Sequence, residues 1–279
     1  MPGTVAITGA YGYIGSLIRS RLDAAGWRTV AFVRSPRRDD DAVPWSLSDG
    51  APVQALRDAD ALIHCAYDFR PRKRDDIWRV NVLGSAALMH AASEAGIARM
   101  IAVSSMSAYQ GTSQLYGLAK LALEDTTLAL GGVAVRPGVV YGPAPGGIAG
   151  ALLKVSRLPV VPVLGGPTRL FAVHQDDLAD AIVEIIEVPA WTPAVIGIAQ
   201  PTAVSFPEFL RALAGQQGRR PRFVPVPWRG VYWGLRCAEL VTGALPLRSD
   251  SVLGLVRPAR DVPQSTAFPQ LLDGLRSLT

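Results

Sequence analysis

Tyr116 and Lys120 stand four residues apart in Tyr116-Gly117-Leu118-Ala119-Lys120, and Ser105 precedes the tyrosine with ten residues between. On a helix, side chains four apart share a face, so phenol and ammonium project together. A tyrosine, with an ordinary pKa of about 10, is a poor acid or base near neutrality. A cation beside it favours the phenolate and brings proton exchange within reach. Ser105, at the end of a strand-like run, adds a hydroxyl that can hold a carbonyl or alkoxide oxygen. Together the three suit hydride transfer, with serine and tyrosine holding the oxygen while a nicotinamide meets the carbon.

A second group sits at the start of the chain. Thr8-Gly9-Ala10-Tyr11-Gly12-Tyr13-Ile14-Gly15 lies between a short apolar run and a helical one. Gly9 permits a tight turn, Gly12 lets backbone approach a diphosphate, and Gly15 lets helix and strand pack closely. Free N–H groups at the helix start then face the anion. Selection between the two nicotinamide dinucleotides is read at the end of the next strand. Here Ala31-Phe32-Val33 runs into Arg34, with Arg37 and Arg38 behind and no carboxylate in the ribose-reading position. Guanidinium groups there favour NADP over NAD, unless they are taken up by Asp39–Asp41.

These groups need a scaffold that brings them together, and the first half of the chain supplies its pattern. Strand-like segments (Thr4–Thr8, Thr29–Val33, Val43–Trp45, Ala61–Cys65, Met100–Ser104, Val133–Arg136) alternate with helical ones (Tyr13–Ala25, Asp75–Ala95, Ala119–Leu130). Gly26 and Gly96 follow two of those helices as stop signals. Alternation of this kind specifies an α/β fold: a Rossmann-type doubly wound parallel sheet, here with a smaller C-terminal substrate-binding lobe. From Pro137 onward Gly and Pro become dense, up to Gly166 and Pro167. The chain then returns to the sheet with Leu170–His174, Asp176–Glu187 and Ala194–Ile198, and Ser205 with Glu208 opens a helix to Leu213 as a capping box. Residues 1–142, with returning segments at about 168–200, form the dinucleotide-binding domain in this reading. Residues 143–167 and 201–279 form the lobe, which includes Phe223–Pro227 and a helix after Trp228.

Composition narrows the classes. The chain has 279 residues, 49% hydrophobic and 18% charged, enough apolar material for a substantial core. A net charge of +5 suits an anionic ligand but, without a nucleic-acid-binding motif, not nucleic acid. Cys65 and Cys237 are the only cysteines and support neither a disulfide framework nor a metal site. No uncharged apolar run reaches the roughly 18 residues of a membrane span, and no leader is evident, so a cytoplasmic protein is expected. Trp228–Leu245, interrupted by Arg229, Arg236 and Glu239, reads as an ordinary amphipathic helix rather than a membrane-surface one.

The ordered series of motifs resembles the extended short-chain dehydrogenase/reductases, the family of nucleotide-sugar epimerases, dehydratases and reductases. It comprises Thr8–Gly15, His64-Cys65-Ala66, Asn81-Val82-Leu83-Gly84, Ser104-Ser105, Tyr116 with Lys120, and Arg136-Pro137-Gly138-Val139-Val140-Tyr141-Gly142-Pro143. Val173-His174-Gln175-Asp176-Asp177-Leu178-Ala179, Ile196-Gly197 and Ser205–Phe209 extend it. The resemblance implies Tyr116 as general acid/base, Lys120 as its pKa-lowering partner and holder of the nicotinamide ribose, and Ser105 as the oxygen-orienting group. It places Gly9, Tyr11, Gly12, Tyr13, Ile14, Gly15, Arg34, Cys65, Ala66 and Val103 along the cofactor groove, with Pro137, Val139 and Val140 flanking the nicotinamide. Asn81 resembles a structural asparagine and His174 an architectural histidine. Ser46-Leu47 stands where relatives often carry Asp-Leu for adenine.

Dehydratases of the family carry an acidic pair after the serine position; here Met106-Ser107 offers no carboxylate, which disfavours dehydration. The expected reaction is NADPH-dependent reduction of a keto group on a nucleotide-linked sugar, with 4-epimerisation as the alternative. Ser107 and Arg169 are the substrate-side candidates, and Arg219, Arg220, Arg222 and Arg70–Arg74 are further cations for a diphosphate. Were these not phosphate ligands, a non-nucleotide ketone or lipid-like alcohol fits, and Val231–Leu245 would suit it. A non-catalytic NADP-binding sensor or scaffold is the alternative of another class, and a homodimer through helices 75–95 and 119–130 is implied.

Overall fold

In the computed structural model the described residues are all but 1, 38–40, 166–167, 190, 243–248, 257–258, 264–273 and 279. Arg38, Asp39, Gly166, Pro167 and Leu245, used above, therefore lie outside them.

Seven strands form one all-parallel sheet. They are β1 (Thr4–Thr8), β2 (Arg28–Val33), β3 (Ala42–Pro44), β4 (Ala61–His64), β5 (Arg99–Val103), β6 (Val133–Pro137) and, further on, β11 (Ala194–Ile198), in the order β11-β6-β5-β4-β1-β2-β3. Strand order reverses between β1 and β4, and the crevice beyond their C-terminal ends is where such sheets bind ligands. Near-continuous Val, Ile, Leu and Ala in the central strands reflects burial on both faces. On one face pack α1 (Tyr13–Ala24) and α7 (Gln175–Glu187), through Ile18, Leu22, Ile182 and Ile186. On the other lie α2 (Val53–Arg57) and α4 (Gly84–Glu94), through Leu56, Leu88 and Met89, joined by Leu123 of α5 (Leu115–Ala129).

The long helix expected from 75 is compound. It begins as α3 (Arg74–Ile77), passes through a π turn at Trp78–Leu83, and continues as α4. The wider turn re-phases the side chains that follow it.

Past the sheet, β7 (Val139–Tyr141) pairs in parallel with β10 (Ala172–His174), while β9 (Arg169–Leu170) pairs antiparallel with β12 (Val204–Ser205). The single strand expected over Leu170–His174 is thus two, separated at Phe171, whose carbonyl instead accepts from Val139 N–H. Helix α6 (Gly147–Val155), strand β8 (Val160–Gly165), helix α8 (Phe206–Gly215), strand β13 (Arg222–Pro227) and helix α9 (Trp228–Thr242) share a further apolar cluster with α10 (Ser249–Val256). Phe209, Leu210, Leu213 and Val252 are fully buried there. Ser205 and Glu208 close the expected capping box, and His174 caps α7 by accepting from Asp176 N–H at 3.3 Å. No helix among the described residues is long and apolar enough to cross a membrane.

Candidate active site

The end of β1 turns through Gly9, whose φ of +65° is a left-handed conformation, and enters α1 at Gly12. A Cβ on Gly15 would lie 2.3 Å from the Gly9 carbonyl oxygen, so only glycine allows this closeness of turn and helix. No side chain caps α1. The first N–H groups of the helix, those of Tyr13, Ile14 and Gly15, have no intrahelical acceptor, and all three residues line one cleft. Beneath the turn, Thr8 Oγ1 accepts from the N–H groups of Cys65 and Ala66, both at 3.1 Å, and meets His64 Nδ1 at 2.8 Å. Burial holds that imidazole neutral, pushed down to about 3.

The cleft has a volume of about 1250 Å3, room for a dinucleotide and a second molecule. Every catalytic and cofactor candidate named from the sequence lines it, as do Ser107 and Arg169 on the substrate side. Gly9, Tyr11 and Gly12 lie at the turn, Arg34 at the end of β2, and Cys65 and Ala66 after β4. Val103 ends β5 and Ser105 follows it, Tyr116 and Lys120 project from α5, and Pro137, Val139 and Val140 complete the set. Arg219, Arg220 and Arg222 do not line it. Arg37 stacks over the Tyr11 ring at 4.3 Å and donates its backbone N–H to Tyr11 Oη at 3.0 Å. Asp41 is held by Arg28 at 2.7 Å, Asp39 and Asp40 lie outside the described residues, and Arg34 is exposed in the cleft wall. Trp45, beside Ser46 and Leu47, carries a buried Nε1 without an acceptor among the described residues. An anion-directed helix start, an uncapped turn and an unused donor along one wall fit a dinucleotide.

The candidate trio of Ser105, Tyr116 and Lys120 converges. Tyr116 hydrogen-bonds Ser105, whose Oγ accepts from Ser107 N–H at 3.1 Å and so keeps its own proton for the phenol or a substrate oxygen. Lys120 is buried, with Nζ donating to the Val103 carbonyl at 2.6 Å and lying 5.9 Å from the Tyr116 ring centre. The electrostatics depart from the sequence expectation for this pair. Burial pushes the phenol up to about 12, and the group drawing it down is Ser105 rather than Lys120. Burial likewise pushes the ammonium down to about 8, against the pull of Cys65 and Glu124. For both groups burial outweighs the attraction of opposite charge.

Two features escape a reading of the sequence. Glu124, buried one helical turn beyond Lys120, accepts from Ser104 Oγ and forms a two-point pair with Arg136 at 2.8 and 2.6 Å. It ties α5 to β5 and β6 and thereby fixes where Tyr116 and Lys120 point; its spacing from Lys120 and a lone arginine in β6 are the available signal. Tyr67 and Phe69 form an aromatic cluster with Tyr116, at ring separations of 4.9 and 5.8 Å. Asn81, carried by the π turn, holds that segment by accepting from Asp68 N–H at 2.7 Å and donating to its carbonyl at 3.0 Å. The cleft is also lined by the apolar and aromatic side chains of Ile148, Phe171, Tyr232 and Leu253 and by the charged ones of Arg169, Arg236 and Glu239.

Comparison with known proteins agrees with this geometry. The model of the NAD dependent epimerase/dehydratase family matches residues 5–198. A ceramide reductase of Caulobacter vibrioides is 31% identical over 82% of this chain and 75% of its own. Among solved structures, MoeE5 in complex with UDP-glucuronic acid and NAD is 28% identical, with a TM-score of 0.70 over 81% of this chain and 86% of that one. The UDP-glucose 4-epimerase of Thermus thermophilus, in complex with NAD, shares the fold at 21% identity and a TM-score of 0.66, over 80% of this chain and 86% of that one.

Proposed function

Since the chain belongs to the NAD dependent epimerase/dehydratase family and is an enzyme of the extended short-chain dehydrogenase/reductase type, we propose that it reduces a ketone carried on an apolar, lipid-like body, with NADPH as reductant. The observation that carries the substrate reading is the make-up of the cleft: Tyr67 and Phe69 pack on Tyr116, and Ile148, Phe171, Tyr232 and Leu253 line the same cleft. Apolar and aromatic side chains there match a hydrocarbon better than a hydrated sugar. The ceramide reductase relative points the same way. Arg34, exposed in the cleft wall with no carboxylate in the ribose-reading position, supports NADP over NAD.

In this assignment Ser105 and Tyr116 both donate to the ketone oxygen. The hydride for the carbon would come from a nicotinamide dinucleotide held in the cleft by the Gly9–Gly15 turn and Lys120. As charge develops on oxygen, Tyr116 gives up its proton, which at a phenol pKa of about 12 is present throughout the neutral range. Lys120 holds positive charge below the phenol and, with Val103, borders the place for the nicotinamide ribose. Pro137, Val139 and Val140, which line the cleft, would flank the nicotinamide, and Ser107 would meet the substrate. Residues 1–142 with 168–200 serve the cofactor and the remaining segments the substrate, in a homodimer through α3–α4 and α5.

A second reading keeps the keto group on a nucleotide-linked sugar. Arg169, which lines the cleft, and the UDP-sugar complexes of MoeE5 favour it. NADPH oxidation measured with long-chain ketones and with keto-sugar nucleotides separates the two. Turnover of the long-chain ketone, falling by about 10²–10⁴ in Tyr116→Phe with dinucleotide binding retained, is the expected result. Turnover of the nucleotide substrate alone refutes the apolar assignment. Epimerised product without net NADPH consumption, or tight binding without any turnover, refutes reduction.

A further inference from the structure

Two elements that border the cleft, the segment after β4 and helix α9, expose large aromatic side chains. Phe69, on the segment after β4, is 64% exposed although its ring stacks on Tyr116 at an angle of 24°. Trp233, on α9, is 63% exposed. Its neighbour Tyr232 lines the cleft and meets the Trp233 ring edge-on at 5.5 Å. Helix α9 buries Val231, Tyr232 and Leu235 against the lobe, so an amphipathic helix accounts for its inner side. Its outer side carries Trp233 between Arg229 and Arg236, all exposed.

Cations accompany both aromatics. After Phe69 come Arg70, Arg72, Lys73 and Arg74. Arg70 is taken up by Asp68 at 2.5 Å, while Arg72 and Lys73 are exposed and have no acidic partner among the described residues. Asp75 and Asp76 follow at the start of α3, where the helix dipole favours them, and Asp76 pairs with Arg79. On α9, Arg236 approaches Glu239 at 3.8 Å and is still 57% exposed. Arg72 and Arg236 line the same cleft as the trio, which makes one rim of the two elements.

We propose that this rim docks on an anionic lipid surface, with Phe69 and Trp233 entering the headgroup region and Arg72, Lys73, Arg229 and Arg236 meeting lipid phosphates. Aromatic side chains flanked by cations are the composition of membrane-interface segments. The docked orientation places the cleft mouth against the bilayer, so an apolar ketone passes to Tyr116 without crossing water. This rests on the apolar-substrate reading for its purpose, but the binding itself is measured separately.

Flotation of the full chain with vesicles of phosphatidylcholine alone, and with phosphatidylglycerol added, tests it. Binding to the anionic vesicles only, weakened by salt, is expected. Lys73→Glu lowers that affinity about thirtyfold, at about fivefold per unit charge, and Trp233→Ser lowers it about tenfold. Neither residue lines the cleft, so both variants keep wild-type turnover of a short, water-soluble ketone and lose it on a ketone embedded in vesicles. Absence of vesicle binding overturns the docking and leaves the substrate reading standing. Vesicle binding without turnover of any apolar ketone supports the docking and overturns the substrate reading. A dimer that dissociates in Trp233→Ser, without vesicle binding, also overturns it and assigns the rim to a second copy.

Discussion

Replacing Lys120 by methionine will make the protein more stable at neutral pH while inactivating it. Burial lowers the ammonium from 10.5 to about 8, so at 1.36 kcal/mol per pH unit, keeping it charged inside the fold costs about 3 kcal/mol at pH 7. The sign follows from a folded pKa below the unfolded one. Below pH 8 both states are protonated and the full penalty applies. Between pH 8 and 10.5 the folded lysine releases its proton first and the penalty fades; above 10.5 it is gone. Methionine removes the penalty and leaves the Val103 carbonyl without its donor, a loss of about 1 kcal/mol. The variant is therefore about 2 kcal/mol more stable than wild type at pH 7 and about 1 kcal/mol less stable above pH 10.5. Urea unfolding of both proteins across this range measures the difference. Tyr116 and Cys65, whose buried groups titrate upward to about 12, destabilise the fold above their ordinary pKa values in both proteins and cancel to first order. A variant less stable at pH 7, or a difference that stays constant from pH 8 to 10.5, would refute the reasoning. The predicted outcome is a site in which function is held against stability.

Two other substitutions address the cofactor. Arg34→Asp removes the guanidinium from the cleft wall and adds a ribose-accepting carboxylate; the ratio of kcat/KM for NADPH over NADH should fall about 10- to 100-fold, and an unchanged ratio removes Arg34 from cofactor selection. Gly15→Ala sets a Cβ at 2.3 Å from the Gly9 carbonyl oxygen, so turn and helix must separate. Thermal melting with and without dinucleotide should show about 1–3 kcal/mol of lost stability and a weakened ligand-induced shift; unaltered values for both would mean that the turn yields freely.

The sheet and the trio are legible in the sequence because their signals are local and repeated. Short apolar strands alternate with glycine-stopped helices, and the chemistry-bearing residues fall at strand ends and helix starts, where a parallel sheet gathers them. What stays hidden depends on contacts distant in sequence. Helix α6 begins at Gly147 and includes Gly150, a run that reads as turn; tertiary packing of Ala149 and Leu152 decides it. The aromatic cover of Tyr116 comes from a segment with no regular structure, and Glu124 looks like a surface helix residue until Arg136 is placed opposite it. The influence of Lys120 on Tyr116 is overestimated from sequence for a related reason: spacing brings the two together but carries no measure of how dry their surroundings are.

The grip of Asn81 on the main chain of Asp68 divides the segment after β4 into two parts with separate duties. Up to the clamp, Cys65, Ala66 and Tyr67 are anchored at both ends and line the cleft. Beyond it, the stretch 70–73 hangs from a fixed post and owes its path to nothing in the catalytic floor. Evolution, or a designer randomising those positions, can therefore retailor which molecules the entrance admits while Tyr116 stays in register.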